Sequence, residues 1–385
     1  MTHVFIVNDT TLKYHLEYMF AGTGANTDAP FLYDENYQNP RKKENGLTSA
    51  SERNIVAMIA DISRVKEGDK IIFYLQAGGH EGKFYGVFKA TGMPFYDSND
   101  HNYLASEMWK TLNFRVKIEA DEVYPLGISE HEALDLLDGV EHPSQMCWSL
   151  IYRKLKGNRG CTMITDYESD RLIHKIRRMN RNQALQERSF SFNVETGKII
   201  GIDEVKSYIG AMDSVDISKR LLVKYKSKKA FESHLQAYIV QNCLKQPLSD
   251  ILGIDRENPV WVGNEVSCGV GMQRIDVVIS QETENAAVIN LVELKDECPY
   301  DGIVTYQLPW YVTWIMNYWA PLYRHKKLTI IPVVIAKKDL PENEAHFKAL
   351  ASGWTYGNLP DGIEVTPVRY IAFSVDDDIS FERIF

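Results

Sequence analysis

Ionisable side chains stand inside two apolar segments of the chain between residues 274 and 295. Asp276 lies in the segment RIDVVIS, and Glu293 and Lys295 end the segment AVINLVELK. Burying a carboxylate costs much free energy unless it is paired or bound to a metal, so these acids require a chemical explanation. Lys295 supplies a cation for such a pair, and carboxylate oxygens also suit a hard metal ion such as Mg²⁺. The three residue types therefore predict either a buried ion pair or a metal site.

The elements that carry these residues are predicted to be two strands of a hairpin. Both segments are β-branched runs of strand length, and the polar turn QETEN separates them. Because strand side chains alternate between faces, Glu293 and Lys295 are expected on one face and Leu294 on the other.

Two predicted helices flank the hairpin along the chain. KAFESHLQAYIVQN carries Glu232 beside an apolar stripe, and TYQLPWYVTWIMNYWA carries Gln307 and Tyr311 four residues apart, which places both on one helical face. Proline loses a hydrogen bond inside a helix, so this second helix is expected to begin near Tyr306 or to kink at Pro309.

Asp276 followed by E-L-K resembles the PD-(D/E)XK nuclease superfamily, and Q-x-x-x-Y resembles the helix motif of its RecB-like and mismatch-endonuclease members. The resemblance implies that Asp276, Glu293 and the main-chain carbonyl of Leu294 bind Mg²⁺, with Mn²⁺ as an alternative ion, and that Lys295 orients or activates water. Its implied catalytic residues are Asp276, Glu293, Lys295, Glu232, Gln307 and Tyr311. The structural alternative is a strand-end ion pair beside a polar cap on a core helix.

The first 160 residues predict mostly strands with a few small helices, which favours a small, partly open barrel. The predicted strands are THVFIVN, VKEGDKIIFYLQ after a tight glycine turn, KFYGVFKATGMP as far as Pro94, and FRVKIEADEVYPLG. The predicted helices are ASERNIVAMIADISRV, capped by Ser51, and one in ISEHEALDLLDG.

The RN dipeptide, the G-D turn and the G-V-F strand, in that order, resemble an EVE-type domain of the PUA-like fold over about residues 3–160. The resemblance implies a modified base held in an aromatic-lined pocket, where aromatic faces grip the base and polar groups read its edge. The aromatic candidates are Tyr74, Tyr85, Phe95, Tyr96, Trp109 and Trp148. The candidate edge readers are Asn54, Gln76 and Asp97. Ordinary core packing is the alternative for each aromatic residue.

Positive charge is concentrated in the middle of the chain. Residues 151–230 contain 18 Lys and Arg against 9 Asp and Glu, a net charge of +9, although the whole chain carries −9. The loop IYRKLKGNRGCT holds the predicted phosphate contacts Arg153, Lys154, Lys156 and Arg159. A solvated linker face is the alternative.

The 385 residues predict an α/β and β-barrel-like chain of two domains joined by a module. The predicted divisions are an EVE/PUA-like base-recognition domain over 1–160, a basic connector over 161–227, and a PD-(D/E)XK domain over 228–385 in which helices flank a mixed sheet. The five scattered cysteines form no C-x-x-C pair and are expected to be reduced thiols. The absence of a membrane-length apolar run and of a leader-like start predicts a cytoplasmic protein without a membrane partner.

Together these patterns predict a Mg²⁺-dependent DNA endonuclease directed by a modified, flipped base in double-stranded DNA, in an arrangement that resembles modification-dependent restriction endonucleases. A homodimer is expected, because one metal site cuts one strand. One alternative is a mismatch or branched-DNA repair nuclease whose first domain is a general nucleic-acid clamp. Another is a non-catalytic reader of modified nucleic acid.

Overall fold

A computed structural model describes residues 1–24, 43–44, 47–48, 50–76, 81–98, 104–135, 139–150, 160–269 and 273–385. The chain forms two compact units, the first comprising 1–140 and 146–216, and the second comprising 141–145 and 217–385. This division differs from the predicted boundaries at residues 160 and 227. Most of the predicted connector belongs to the first unit.

The first unit contains one large sheet and two separate strand pairs. The strands of the unit are β1 (Thr2–Val7), β2 (Phe20–Thr23), β3 (Lys43–Glu44), β4 (Leu47–Thr48), β5 (Lys70–Leu75), β6 (Lys83–Ala90), β7 (Phe95–Tyr96), β8 (Phe114–Ala120), β9 (Ile128–Ser129), β10 (Cys161–Ile164), β11 (Phe190–Asn193), β12 (Lys198–Gly201) and β13 (Asp213–Ser214).

Nine of these strands form one curled, half-barrel sheet in the order β10-β1-β5-β6-β8-β7-β13, with β2 paired to β8 and β9 to β6. Strands β1 and β5 are parallel, whereas the other pairs in this sheet are antiparallel. Outside this sheet, β11 and β12 form a separate antiparallel pair. The partly open barrel predicted from the strand pattern is therefore confirmed at the level of sheet architecture.

The helices of the first unit are α1 (Asp9–Glu17), α2 (Glu52–Ser63), α3 (Ala105–Met108) and α4 (Asp166–Met179). Ser51 caps α2 as predicted, because its hydroxyl accepts a hydrogen bond from the Asn54 amide at 3.3 Å. The segment expected to be a helix after Leu126 begins instead with β9, followed by a π-helical turn over His131–Asp135. Strand β6 ends at Ala90, four residues before the predicted end at Pro94.

The basic segment joins the first unit through both its strand and its helix. Strand β10 pairs with β1, and the apolar face of α4, including Leu172 and Ile176, packs against Val4 and Ile72 of the sheet. Burial of this face explains why the segment is part of a core and is not an independent connector.

The second unit is built on a mixed sheet. Its strands are β14 (Val260–Ser267), β15 (Arg274–Glu282), β16 (Ala286–Leu294), β17 (Lys327–Lys337), β18 (Ile363–Val365), β19 (Arg369–Val375) and β20 (Ile379–Arg383). Its helices are α5 (Ser218–Lys226), α6 (Glu232–Asn242), α7 (Leu248–Leu252), α8 (Leu308–Tyr318) and α9 (Pro341–Gly353). The sheet order is β14-β15-β16-β17-β19-β20, with β18 paired to β17.

The predicted hairpin is present as β15 and β16, and the next connection leads to β17, which runs parallel to β16. One face of the sheet, including Val292 and Leu294, packs against apolar residues of α6 such as Leu235 and Ile239. The opposite face of β16 therefore carries Glu293.

Among the described residues, no helix has both the length and the apolar composition required to cross a bilayer. The five cysteines are free thiols.

Candidate active site

The strand register brings the two predicted metal-binding acids together. Val277 of β15 pairs with Val292 of β16, so the next residues on these antiparallel strands, Asp276 and Glu293, stand opposite each other. Side chains of opposed residues lie on the same face of a sheet, with Cβ atoms about 5 Å apart. The two acids therefore share one site.

Asp276 is held by the backbone of the neighbouring strand. Its Oδ2 accepts a hydrogen bond from the Leu294 amide at 2.8 Å. Burial, and after it the nearby Glu293 carboxylate, raise the pKa of Asp276 well above its usual range. Among the described residues, no cationic side chain forms an ion pair with Asp276.

Glu293 is buried and has a partner on each oxygen. The Lys295 ammonium lies 2.6 Å from its Oε1, and the Tyr311 hydroxyl of α8 lies 2.7 Å from its Oε2. The Tyr311 hydroxyl also lies 3.0 Å from the carbonyl oxygen of Arg274, which can accept the same proton. These contacts fix the carboxylate between a strand end and a helix.

Lys295 connects the acids of the site. Its ammonium donates to the Leu294 carbonyl at 3.0 Å and lies 3.6 Å from Oε2 of Glu232. Burial opposes the charged form, but the Glu293 carboxylate raises the pKa of Lys295, so the side chain is cationic at neutral pH. The predicted placement of Glu293 and Lys295 on one face is confirmed by this ion pair, and the Leu294 side chain points into the core.

Glu232 begins α6, and its half-exposed carboxylate faces Lys295. Burial raises the pKa of Glu232, and the nearby Lys295 ammonium partly offsets this rise. The first turn of α6 is fixed by Asp296, whose Oδ2 accepts hydrogen bonds from the amides of Phe231 and Glu232 at 2.7 and 3.1 Å. The residue that follows Lys295 therefore anchors the helix that supplies Glu232.

Gln307 lies at the edge of this group. It ends a π-helical turn over Ile303–Gln307, and α8 follows with Pro309 in its first turn, where proline is tolerated. The Gln307 side-chain oxygen accepts a hydrogen bond from the Tyr300 hydroxyl at 3.2 Å. No hydrogen bond joins Gln307 to the two acids within the described part of the chain.

The donor set suits a hard divalent cation. Three carboxylates, from Asp276, Glu293 and Glu232, surround one ammonium group, so the site carries an excess of negative charge. No cluster of three or more His, Cys, Asp or Glu side chains arranged to hold a metal is found among the described residues. Mg²⁺ takes only one or two protein carboxylates and keeps several waters, so Asp276, Glu293 and the Leu294 carbonyl are a sufficient set.

Two contacts near the site were not predicted from the sequence. Gln236 of α6 donates to the Asp276 carbonyl at 3.1 Å, and the Trp310 indole donates to the Cys268 carbonyl at 2.6 Å. Burial, and then the charges of Glu293 and Asp276, raise the pKa of the Cys268 thiol to about 12, so this thiol stays protonated. Helical spacing from Glu232 would have found Gln236, which lies one turn further along the same face.

The aromatic candidates of the first unit differ in exposure. Trp109 is 85% exposed, whereas the other five are buried. Tyr74 bonds to Glu130, and the Tyr85 hydroxyl donates to the Gly197 carbonyl at 2.8 Å. The rings of Tyr96 and Phe95 pack against Phe114 and Tyr208, and the remaining buried candidate is Trp148. Among the described residues, these contacts do not join the candidates into one cluster.

The predicted edge reader Asp97 has hydrogen-bond partners inside the first unit. Its Oδ2 lies 2.8 Å from Nη1 of the fully buried Arg115, the Tyr208 hydroxyl donates to the same oxygen at 2.5 Å, and its Oδ1 accepts from the Ala211 amide at 3.0 Å. An uncompensated Arg115 would be costly in the core, which explains why the carboxylate is used internally.

The other predicted nucleic-acid contacts are exposed, half-buried or not described. Asn54 is exposed in the first turn of α2, and Gln76 is half-buried after β5. Arg153, Lys154, Lys156 and Arg159 lie outside the residues that the structure describes. Asn113, which was not predicted, is buried with neither polar side-chain atom hydrogen-bonded among the described residues, and such an amide requires a partner.

Comparison of the chain with models of known protein families and with curated proteins found no match.

Proposed function

We propose that this chain is a Mg²⁺-dependent DNA endonuclease that hydrolyses phosphodiester bonds, with Mn²⁺ as an alternative ion. The observation that carries the proposal is the pairing of Asp276 with Glu293 at the ends of two adjacent strands, with Lys295 bonded beside them. Two carboxylates held side by side, with Glu293 buried and Asp276 partly buried, are costly to maintain, which favours a binding role over a structural one.

In this proposal Asp276, Glu293 and the Leu294 carbonyl hold the ion. Bound Mg²⁺ supplies positive charge at the scissile phosphate and lowers the pKa of a coordinated water. Lys295 presents its ammonium beside the acids, where it orients the attacking water and stabilises negative charge. Tyr311 keeps the Glu293 carboxylate in place through its 2.7 Å hydrogen bond. The second unit would accordingly have the PD-(D/E)XK fold.

The first unit is proposed to be an EVE-type, PUA-like reader of a modified, flipped base in double-stranded DNA. Its half-barrel sheet, the exposed Trp109 ring and the unpartnered amide of Asn113 support this role, since a flipped base needs a stacking surface and a polar edge reader. The protein would then act in restriction as a cytoplasmic homodimer.

Cleavage of a duplex panel tests the catalytic proposal. Supercoiled and linear DNA with unmodified, cytosine-modified and adenine-modified bases are incubated with Mg²⁺ and scored for nicks. Lys295→Ala is expected to slow nicking by about 100-fold without weakening DNA binding. The matched control is Lys338→Ala, which removes an exposed lysine paired with Glu382 at 2.6 Å in the same unit and should cleave like the wild type. Equal rates for Lys295→Ala and wild type would refute the assigned site.

Binding of the same duplexes tests the reader. Trp109→Ala is expected to reduce the preference for modified DNA by about tenfold, because stacking on an aromatic ring contributes about 1–3 kcal/mol per base. Salt-sensitive binding to unmodified DNA should remain. Tight binding to modified DNA without cleavage would instead support a non-catalytic reader, and cleavage confined to mismatched or branched DNA would support a repair nuclease.

A further inference from the structure

Helix α8 carries an aromatic stripe along the side opposite its buried face. The stripe consists of Tyr306, just before the helix, and Trp310, Trp314 and Tyr318, each four residues after the last. Tyr306 is 77% exposed and Trp310 is 47% exposed, although the interior side of α8 is fully packed. The rings of Trp314 and Tyr318 are stacked with centroids 3.9 Å apart. A contiguous exposed aromatic surface commonly marks an interaction site, so the stripe is expected to have a partner.

The stripe is a rigid surface. The Trp310 indole is tied to the Cys268 carbonyl at 2.6 Å, and the stacked pair restricts Trp314 and Tyr318. Tyr300, which is 50% exposed, extends the surface beside Gln307. Aromatic side chains that are already ordered lose little conformational entropy on binding and are typical centres of protein interfaces.

Charge distribution decides between the classes of partner. The stretch from Ile303 to Tyr323 contains no Asp, Glu, Lys, Arg or His. A surface that binds the DNA backbone, or an anionic membrane, would carry Lys or Arg. The cores of protein interfaces, in contrast, are depleted of charge and enriched in Tyr, Trp and Met.

From this surface we infer that the aromatic stripe packs against the same stripe of a second copy of the chain, related to it by a two-fold axis. An uncharged surface can face itself without like-charge repulsion, as a two-fold interface requires. A stable interface buries about 800 Å² per partner, so the stripe forms the centre of the contact and polar neighbours such as Thr313 and Asn317 form its rim.

This inference rests on the proposed function for its purpose. Helix α8 holds Glu293 through Tyr311 on its inner side, and a two-fold axis at its outer side would set two candidate sites at a fixed spacing. Two such sites can cut both strands of a duplex.

Sedimentation velocity of the full chain without DNA, at micromolar concentrations, tests the interface. The wild type is expected to be a dimer, and Tyr306→Arg should weaken dimerisation at least tenfold because it places a charge in the uncharged centre. Tyr306→Phe should keep the dimer. The matched control is Leu340→Arg, which adds the same charge at a position 59% exposed in the same unit and should not change the mass. Circular dichroism and thermal melting confirm that the variants are folded.

A monomeric wild type, or equal weakening by Tyr306→Arg and Leu340→Arg, would overturn the inference. If the wild type is monomeric and Tyr306→Arg weakens its DNA binding, the inference is also wrong, because the stripe would then contact nucleic acid. Plasmid cleavage separates the two proposals. Tyr306→Arg should still nick supercoiled DNA but linearise it at least tenfold more slowly, whereas a wild-type dimer that nicks no DNA would refute only the nuclease.

Discussion

Lys295 and Glu293, two residues apart at the end of one strand, are joined by an ion pair of 2.6 Å. The same ammonium lies 3.6 Å from Glu232, so Lys295 is shared by two carboxylates of the acidic group. Within the described residues, the Asp276 side chain on the neighbouring strand receives only a backbone hydrogen bond from Leu294. The need for a cation is therefore greatest at Asp276.

Asp276→Asn should stabilise the metal-free protein. The change removes a partly buried carboxyl group whose charged form Glu293 disfavours, and it keeps an oxygen for the Leu294 amide, so the free energy of unfolding should rise by about 1 kcal/mol. The wild type should gain about 3 kcal/mol at a hundredfold excess of Mg²⁺ over its Kd, and the variant should not. Urea unfolding with EDTA and with Mg²⁺ measures both effects. Asp361→Asn, at an exposed position, is the control, and equal Mg²⁺ stabilisation of Asp276→Asn would contradict the assignment.

Tyr311→Phe should impair catalysis while the fold is kept. The change removes the 2.7 Å hydrogen bond to Glu293, and the loss of a hydrogen bond to a charged group costs about 2 kcal/mol. Nicking should therefore slow by roughly 10- to 30-fold, or require more Mg²⁺ for half-maximal rate. Titration of the nicking rate with Mg²⁺ checks this. Tyr356→Phe, which removes an exposed hydroxyl bonded to Thr313, should behave like the wild type, and an unaffected Tyr311→Phe would show that the contact has no functional role.

Asp97→Ala should destabilise the first unit without acting specifically on base recognition. Arg115 would be left buried without its carboxylate partner, which costs about 3–5 kcal/mol. Chemical unfolding measures the loss, and Asp213→Ala, which removes a partner of the exposed Ser98 hydroxyl, should cost under about 1 kcal/mol. A stable Asp97→Ala variant that no longer distinguishes modified duplexes would restore Asp97 as an edge reader.

His15 should make the protein less stable as the pH falls from about 6.5 to 4. Burial lowers the pKa of this fully buried imidazole from 6.5 to about 4, so the unfolded chain binds the proton more tightly. Protonation below pH 6.5 thus favours unfolding, and the free energy of unfolding should fall by about 2 kcal/mol between pH 7 and pH 5 from this group. Urea unfolding at both pH values should show a smaller fall for His15→Gln than for the wild type. His131→Gln, at an exposed position, should keep the full dependence; an equal fall in all three proteins would exclude this role for His15.

The hairpin and its acids were predictable because their signals are local. Runs of β-branched residues indicate β15 and β16. Carboxylates within such apolar runs are recognisable because burying an unpaired charge costs free energy. The pairing of Asp97 with Arg115 was not predictable, because Asp97 follows the two-residue strand β7, 18 positions before Arg115 of β8. The packing of the basic segment into the first unit also depends on residues far apart in sequence, because β10 pairs with β1 near the start of the chain. In ISEHEALDLLDG, pairing of Ile128 with Phe84 of β6 replaced the first turn of the expected helix.

Strand β16 lies inside the sheet, with an antiparallel neighbour on one edge and a parallel neighbour on the other, and Glu293 itself is in register with Val334 of β17. The backbone that carries this carboxylate can shift only by disrupting the hydrogen-bond ladders on both edges of β16, and the carboxylate itself is held by Lys295 and Tyr311. Its geometry is consequently set when the unit folds, before any ion or nucleic acid arrives. For such a centre, turnover would be governed by how a phosphodiester is delivered and released, because the catalytic groups have no assembly step of their own.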